Sequence, residues 1–227
     1  MTSPSRFPAL LAFLAGGLSA ALLLFSVLSP QPDPQHLLTF ASTHRGAYAL
    51  LASLALAWSV FSVPFVVALG DVLGGVNRQL ASAARLLTVG GILLLGFAIF
   101  MSVGATLSVV SAQPAPSADI AAYQLKFWSH LGFYLTDPGL MAWGLGQLLF
   151  GWLAWRGRAL PRWTSVVGLV GGAAGLLTLA VYQTPVLALL QLLSFAVWGF
   201  AVGAVFVRGP TAVGVMQVTS SERSARG

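Results

Sequence analysis

Cysteine is absent from all 227 residues. Disulfides, thiol redox chemistry, iron–sulfur clusters and cysteine nucleophiles are excluded with it. Charge is scarce as well: 7% of residues are Asp, Glu, Lys or Arg, against about 25% in an ordinary soluble domain. Soluble folds keep charge on their exteriors, so the shortage implies an exterior that faces something other than water. Lipid is the obvious solvent. With 5 acidic residues and 3 histidines, little remains for metal sites or acid–base pairs. Neither a G-x-S-x-G nucleophile elbow nor an H-E-x-x-H motif occurs. The net charge is +6, yet no basic run interleaved with aromatics exists to track a phosphate backbone, so nucleic acid is not an expected partner.

What is present is apolar: 57% of the chain is hydrophobic. It is gathered into six runs, Ala9 to Leu28, Ala47 to Leu69, Leu86 to Val110, Leu131 to Trp155, Thr164 to Tyr182 and Val186 to Val207. A helix needs about 20 apolar residues to cross the hydrocarbon core. Barrel strands would alternate apolar and polar residues, and Leu50 to Ala57 does not. The expected fold is therefore all-α, a polytopic bundle of six transmembrane helices over 9–207 with tails at 1–8 and 208–227, the latter disordered. The first run follows Arg6 as a signal peptide would, but it is longer than an h-region of about 7 to 15 residues, which favours a retained helix.

Six spans put both termini on one side. The same arrangement gathers Arg6, Arg78, Arg85, Arg156, Arg158, Arg162, Arg208, Arg223 and Arg226 there, nine of the 11 basic residues, and leaves Arg45 and Lys126 opposite. The positive-inside rule makes the nine-residue side cytoplasmic. Ser29 to Gly46 and Ser111 to His130 then form outer loops. Pro30, Pro32 and Pro34 open the first as extended chain, and Pro114 and Pro116 open the second. Each regains apolar character, at His36 to Phe40 and Ile120 to Phe127, with Tyr123, Phe127 and Trp128 at headgroup depth.

Spans five and six are joined by Gln183 to Pro185 and must form an antiparallel hairpin. Gly168 and Gly172, Gly171 and Gly175, and Gly199 and Gly203 place small residues at the spacing that lets such helices approach. Pro64 within span two is the expected kink. The two halves show no convincing match as inverted repeats.

The run Val76-Asn77-Arg78-Gln79-Leu80-Ala81 leads into span three. Asp137-Pro138-Gly139-Leu140, Gly151-Trp152, Arg156-Gly157 and Leu160-Pro161-Arg162-Trp163 then run on to Gly168 and Gly172. From about Arg45 to Gly203 this resembles a bacterial six-helix integral membrane family catalogued only as a domain of unknown function. The resemblance implies a fold and a place in the bacterial inner membrane, and no reaction.

Ionisable residues inside a membrane are expensive and therefore functional candidates. Asp137 is the acidic residue of span four, expected toward its outer end. With Arg45 and His130, and with Tyr48, Tyr134 and Lys126, it could form an outer polar patch holding an anionic headgroup or relaying a proton. Thr136-Asp137-Pro138 also fits a helix start, with Asp as N-cap and Pro at the first helical position. Both readings stand at this level. His44 and His130 form the one pairing that would suit bis-histidine haem, but no buried pocket is implied, and zinc lacks its ligand spacing, so no cofactor is expected. Trp143, Trp152, Trp155 and Trp163 read as interfacial anchors or packing. Ser53, Ser59, Ser62, Ser102 and Ser194 should bond back to their own helices or to a neighbour. Asp71 and Arg85, near Asn77 and Arg78, form either a local ion pair or a gate latch.

The leading expectation is thus a non-enzymatic membrane protein whose partners are the lipid bilayer, anionic headgroups or another membrane protein. A small transporter or proton pathway through Arg45, His130 and Asp137 comes second, and an intramembrane enzyme or cofactor-binding protein third.

Overall fold

The computed structural model describes residues 7–28, 41–112, 117–158, 160–180 and 185–208. Six long helices lie among them: α1 (Phe7–Leu28), α2 (Arg45–Gly74), α3 (Arg78–Ser111), α4 (Ala118–Gly157), α5 (Arg162–Ala180) and α6 (Pro185–Arg208). No strand occurs among the described residues. Helices α1, α2, α3 and the Val186–Val207 stretch of α6 are long and apolar enough to cross a membrane. The other two dilute their apolar residues with glycine, and α4 also with Gln147, Asp137 and Lys126. The proline-rich starts at Pro30, Pro32, Pro34, Pro114 and Pro116, the His36 to Phe40 segment, the residues 183–184, and Arg6, Arg223 and Arg226 lie outside the described residues.

The helices outrun the apolar segments that announce them. Asn77, extended at φ −157°, starts α3 eight residues before Leu86 by accepting the Leu80 N–H at 3.0 Å on its side-chain oxygen. This is N-capping, which satisfies a donor the helix itself leaves open. Helix α4 starts at Ala118 rather than Leu131, so Ile120 to Phe127 belongs to the first turns of a helix of 40 residues. Val109 of α3 packs there with Ala121 and Leu125 of α4 in a small apolar cluster of their own. At 1.5 Å per residue α4 is about 60 Å long, twice a bilayer's hydrocarbon thickness.

Each helix packs on its neighbours in sequence, and α1 packs on α6, so the bundle closes into a ring. Aromatic side chains fill its centre. Trp58 of α2, Trp143 of α4 and Phe195 of α6 meet edge-on, with centroids 5.3 Å (Trp58–Trp143) and 5.2 Å (Trp143–Phe195) apart, and Phe65 extends the group at 5.8 Å from Phe195. These are the separations at which ring edges meet ring faces favourably. The Trp58 indole N–H donates to Ser19 Oγ at 2.8 Å, and Ser19 donates on to the Ala15 carbonyl at 2.8 Å. A polar atom in the ring's core is thereby satisfied by α1.

The glycine pairs divide their work differently from the expected α5–α6 hairpin. A Cβ at Gly172 would meet Leu148 N and Leu148 Cγ at 2.5 Å, so Gly172 serves α4, and one at Gly168 would meet both Gly151 Cα of α4 and the Trp198 ring of α6 at 3.3 Å. Gly171 and Gly175 face Ser194 and Gln191 of α6. Gly199 lies against α1, where a Cβ would meet the Ala12 carbonyl and Gly16 Cα at 2.8 Å, and Gly203 lies against the Phe13 ring. Spacing alone shows that a helix has a small-residue face; it does not show which neighbour takes that face.

At one end of the bundle the two short corners meet. A Cβ at Gly157 would fall 2.1 Å from Val76 Cγ2, so the turn between α4 and α5 presses on the turn between α2 and α3. Arg158 follows in the left-handed region at φ 51°. Leu160 is buried beside it, and the Pro161 carbonyl accepts from Thr164 N at 3.0 Å and Thr164 Oγ1 at 2.6 Å to open α5.

Candidate functional site

The residues expected to form a polar patch fall on two elements, Arg45 and Tyr48 on α2 and Lys126, His130, Tyr134 and Asp137 on α4. The Arg45 guanidinium, in the first turn of α2, donates to the Val110 carbonyl at the end of α3. His130 Nδ1 lies 2.7 Å from the Lys126 carbonyl of its own helix. No hydrogen bond or ion pair among the described residues joins Arg45, His130 and Asp137. Tyr48, Lys126 and Tyr134 are each engaged in an interaction. Among the described residues no three His, Asp or Glu side chains come together as metal ligands.

Asp137 is not a helix cap. Helix α4 runs unbroken from Ala118 to Gly157 with Pro138 inside it, and the N-cap position belongs to Ser117. Thr136, rather than opening a helix, bonds back to the Gly132 carbonyl at 2.8 Å. The Asp-Pro pair imitates a helix start so well that the sequence alone does not separate the two cases.

Glycine contacts fix the depth of Asp137. Gly132 lies against Ala98 and Ser102 of α3, and Gly139 against Gly91, Leu94 and Leu95. Asp137 is therefore level with the Leu94 to Ala98 stretch, about 15 Å along α3 from Arg85 and about 20 Å from Val110. Half-buried, it sits between the two charged levels of the bundle, not at its outer end.

Lys126, His130, Tyr134 and Asp137 follow one another at spacings of four, four and three, and so share one face of α4. With Tyr123, Phe127 and Leu131 the first three line a groove of about 430 Å³. Tyr123 and Tyr134 are exposed there, and Phe127 packs edge-on against Trp128 at 5.2 Å. A second groove of about 560 Å³, between α2 and α3, is apolar apart from Ser59.

At the corner end, Arg85 bridges Asp71 at 2.5 Å, with Asp71 mostly exposed. Its guanidinium reaches α2 because residue 70 is glycine: a Cβ there would meet Arg85 Nε at 2.6 Å. Exposed pairs contribute about 0 to 1 kcal/mol, so the bridge has little energetic weight.

The polar group that the sequence reading missed lies inside the ring. Gln147 of α4 and Gln191 of α6 are both fully buried. Gln191 Nε2 donates to the Leu140 carbonyl at 3.3 Å, but its Oε1, both amide atoms of Gln147, the indole nitrogens of Trp143 and Trp198, and Ser165 Oγ are buried without a hydrogen-bond partner. Ser62 Oγ and Thr88 Oγ1 share that condition elsewhere. Each buried polar atom left unpaired costs about 1 to 3 kcal/mol, so a cluster of them calls for an explanation. A signal was present in the sequence: Gln191 interrupts an otherwise apolar run, and Gln147 lies one turn from Trp143. The rule that draws attention to intramembrane charge passes over neutral amides.

Several of the family-like residues have structural contacts. Asn77 caps α3, Val76 and Gly157 interlock, Pro161 opens α5, and Gly151, Gly168 and Gly172 carry the α4–α5 contact. No curated protein and no solved structure matches the chain. A family model does match, over residues 9–207, from within α1 to the last turn of α6. The chain belongs to the family described as Domain of unknown function (DUF4386).

Proposed function

We propose that the chain is a six-span protein of the bacterial inner membrane, with both termini cytoplasmic, that works without chemistry by contact with anionic lipid headgroups. Positive charge supports the orientation: nine of the 11 basic residues fall on one side of a six-span arrangement. Helix length supports the two additional spans, since the 19 residues of α5 reach about 28 Å and α4 exceeds that. The observation that carries the lipid reading is the α4 groove, where Lys126 and His130 stand among Tyr123, Phe127 and Tyr134. Aromatic rings at an interface with a cation beside them suit a phosphate-bearing headgroup. The test is native mass spectrometry of protein reconstituted with phosphatidylglycerol or phosphatidylcholine. Phosphatidylglycerol should be retained preferentially, and Lys126→Gln with His130→Gln should reduce that retention several-fold. Equal retention of the two lipids by the unaltered protein would overturn the reading.

Asp137 favours a second reading, a proton or ion pathway. A carboxyl group within a continuous helix, level with the middle of α3 and in no cap, is what such a pathway uses. Asp137→Asn should then abolish a proton flux in vesicles while the protein still folds. Unchanged flux would remove this alternative.

A further inference from the structure

We propose that the unpartnered polar atoms between α4, α5 and α6 bind a file of water molecules, a hydrated column running from one turn inward of Asp137 to the corner end of the bundle. The glycine face of α5 sets out the column. A Cβ at Gly175 would lie 2.6 to 2.7 Å from all three terminal atoms of the Gln191 amide, and one at Gly171 would lie 2.6 Å from Gln147 Nε2 and 3.0 Å from Ser194 Oγ. The two carboxamides thus sit on successive turns of one bare helix face, where any side chain would displace them.

The order of groups along the axis follows from the same contacts. Leu140, whose carbonyl takes the Gln191 amide, is level with Gln191, and Gln147 comes next opposite Gly171. The Trp198 ring is next, 3.3 Å from the Cβ position of Gly168. Ser165, in the first turn of α5, ends the series. From Gly175 to Ser165 is ten residues, about 15 Å.

Every orphaned group in this series is uncharged, and both kinds are present: amide and indole N–H donors, amide and hydroxyl oxygen acceptors. A cation would need more acceptors, and an anion would meet no positive charge among these groups. Water, which both donates and accepts and takes two to four partners, satisfies a mixed neutral set spaced about one turn apart. Asp137 and Leu140 are three residues apart on α4, so the file would begin about one turn from Asp137 and reach toward the Arg162 end of α5. It would give Asp137 a hydrated route to that end and none to the other. The hydration itself does not rest on either functional reading above.

The experiment uses the whole protein in lipid bilayers, labelled with ¹⁵N in glutamine side chains and tryptophan indoles, and solid-state NMR that transfers polarisation from water. The Gln147 and Gln191 amides and the Trp198 indole should receive water polarisation and exchange in D2O at least ten-fold faster than the Trp58 indole, which Ser19 satisfies. Gln147→Leu assigns the Gln147 signal and should slow exchange at Trp198. If the unaltered protein shows these amides and the Trp198 indole as protected as Trp58, the column is dry and the proposal is overturned, whether or not the variant folds. Proton flux is measured separately, so a dry column and an inactive Asp137 give different results.

Discussion

At the scale of single residues, two positions separate what a local motif suggests from what the chain does. Asp137 looks like a cap and is not one, so removing it removes no capping bond. Asp137→Ala should leave thermal stability in detergent unchanged or raise it, because alanine is the better helix former and a half-buried polar group is removed. A loss near 1 kcal/mol, the typical cost of deleting an N-cap, would show that the helix starts at Pro138 after all. Arg158 holds a left-handed conformation that glycine adopts without strain. Arg158→Gly should therefore stabilise the protein by up to about 1 kcal/mol, read as a higher melting temperature. Stability unchanged or lowered would mean that the arginine side chain contributes more at the corner than its backbone costs.

At the scale of elements, the helix class and the approximate centres of the apolar runs were legible in the sequence, because 20-residue apolar runs have few other fates. Helix ends were not. The first turns of α3 depend on the Asn77 cap, and the first turns of α4 on a small apolar cluster shared with α3; neither is a property of hydropathy along a window. Face assignment was only half legible, since Gly199 and Gly203 announce a close contact but not that α1 makes it. The neighbouring pair Gly16 and Gly17 tests this contact. A Cβ at Gly16 would meet the Ala196 carbonyl at 2.9 Å, backbone that does not move without moving α6, whereas Gly17 has nothing within 4 Å. Gly16→Ala should destabilise by about 1 to 3 kcal/mol, as overpacking does. Gly17→Ala should be neutral or stabilising by about 0.5 to 1 kcal/mol, the ordinary glycine-to-alanine gain in a helix. Equal effects would mean that α1 does not rest on α6 through this face.

At the scale of the whole molecule, the ring and the charge asymmetry constrain each other. Closing α1 on α6 places the first and last helices side by side. Helix count then decides which sides the ends share: six crossings return the C-terminus to the side of the N-terminus, and any odd number separates them. Charge supplies an independent vote, because Arg78, Arg156, Arg158 and Arg162 all belong to the two corners that interlock at Val76 and Gly157. Those corners share one end of the bundle, since Val76 packs on Gly157, and under the proposed orientation the positive-inside rule assigns that end to the cytoplasm. Reporter tags should therefore find Gly227 and the corner at Arg158 both cytoplasmic, and a tag at Ala112, between α3 and α4, outside. If the tag at Gly227 and the tag at Arg158 report opposite sides, α5 and α6 do not both cross, and the six-span reading falls while the packed ring remains. If Ala112 reports from the cytoplasm, the long hairpin of α3 and α4 is not an outward projection, and Lys126 and His130 lose the headgroup layer on which the lipid reading depends.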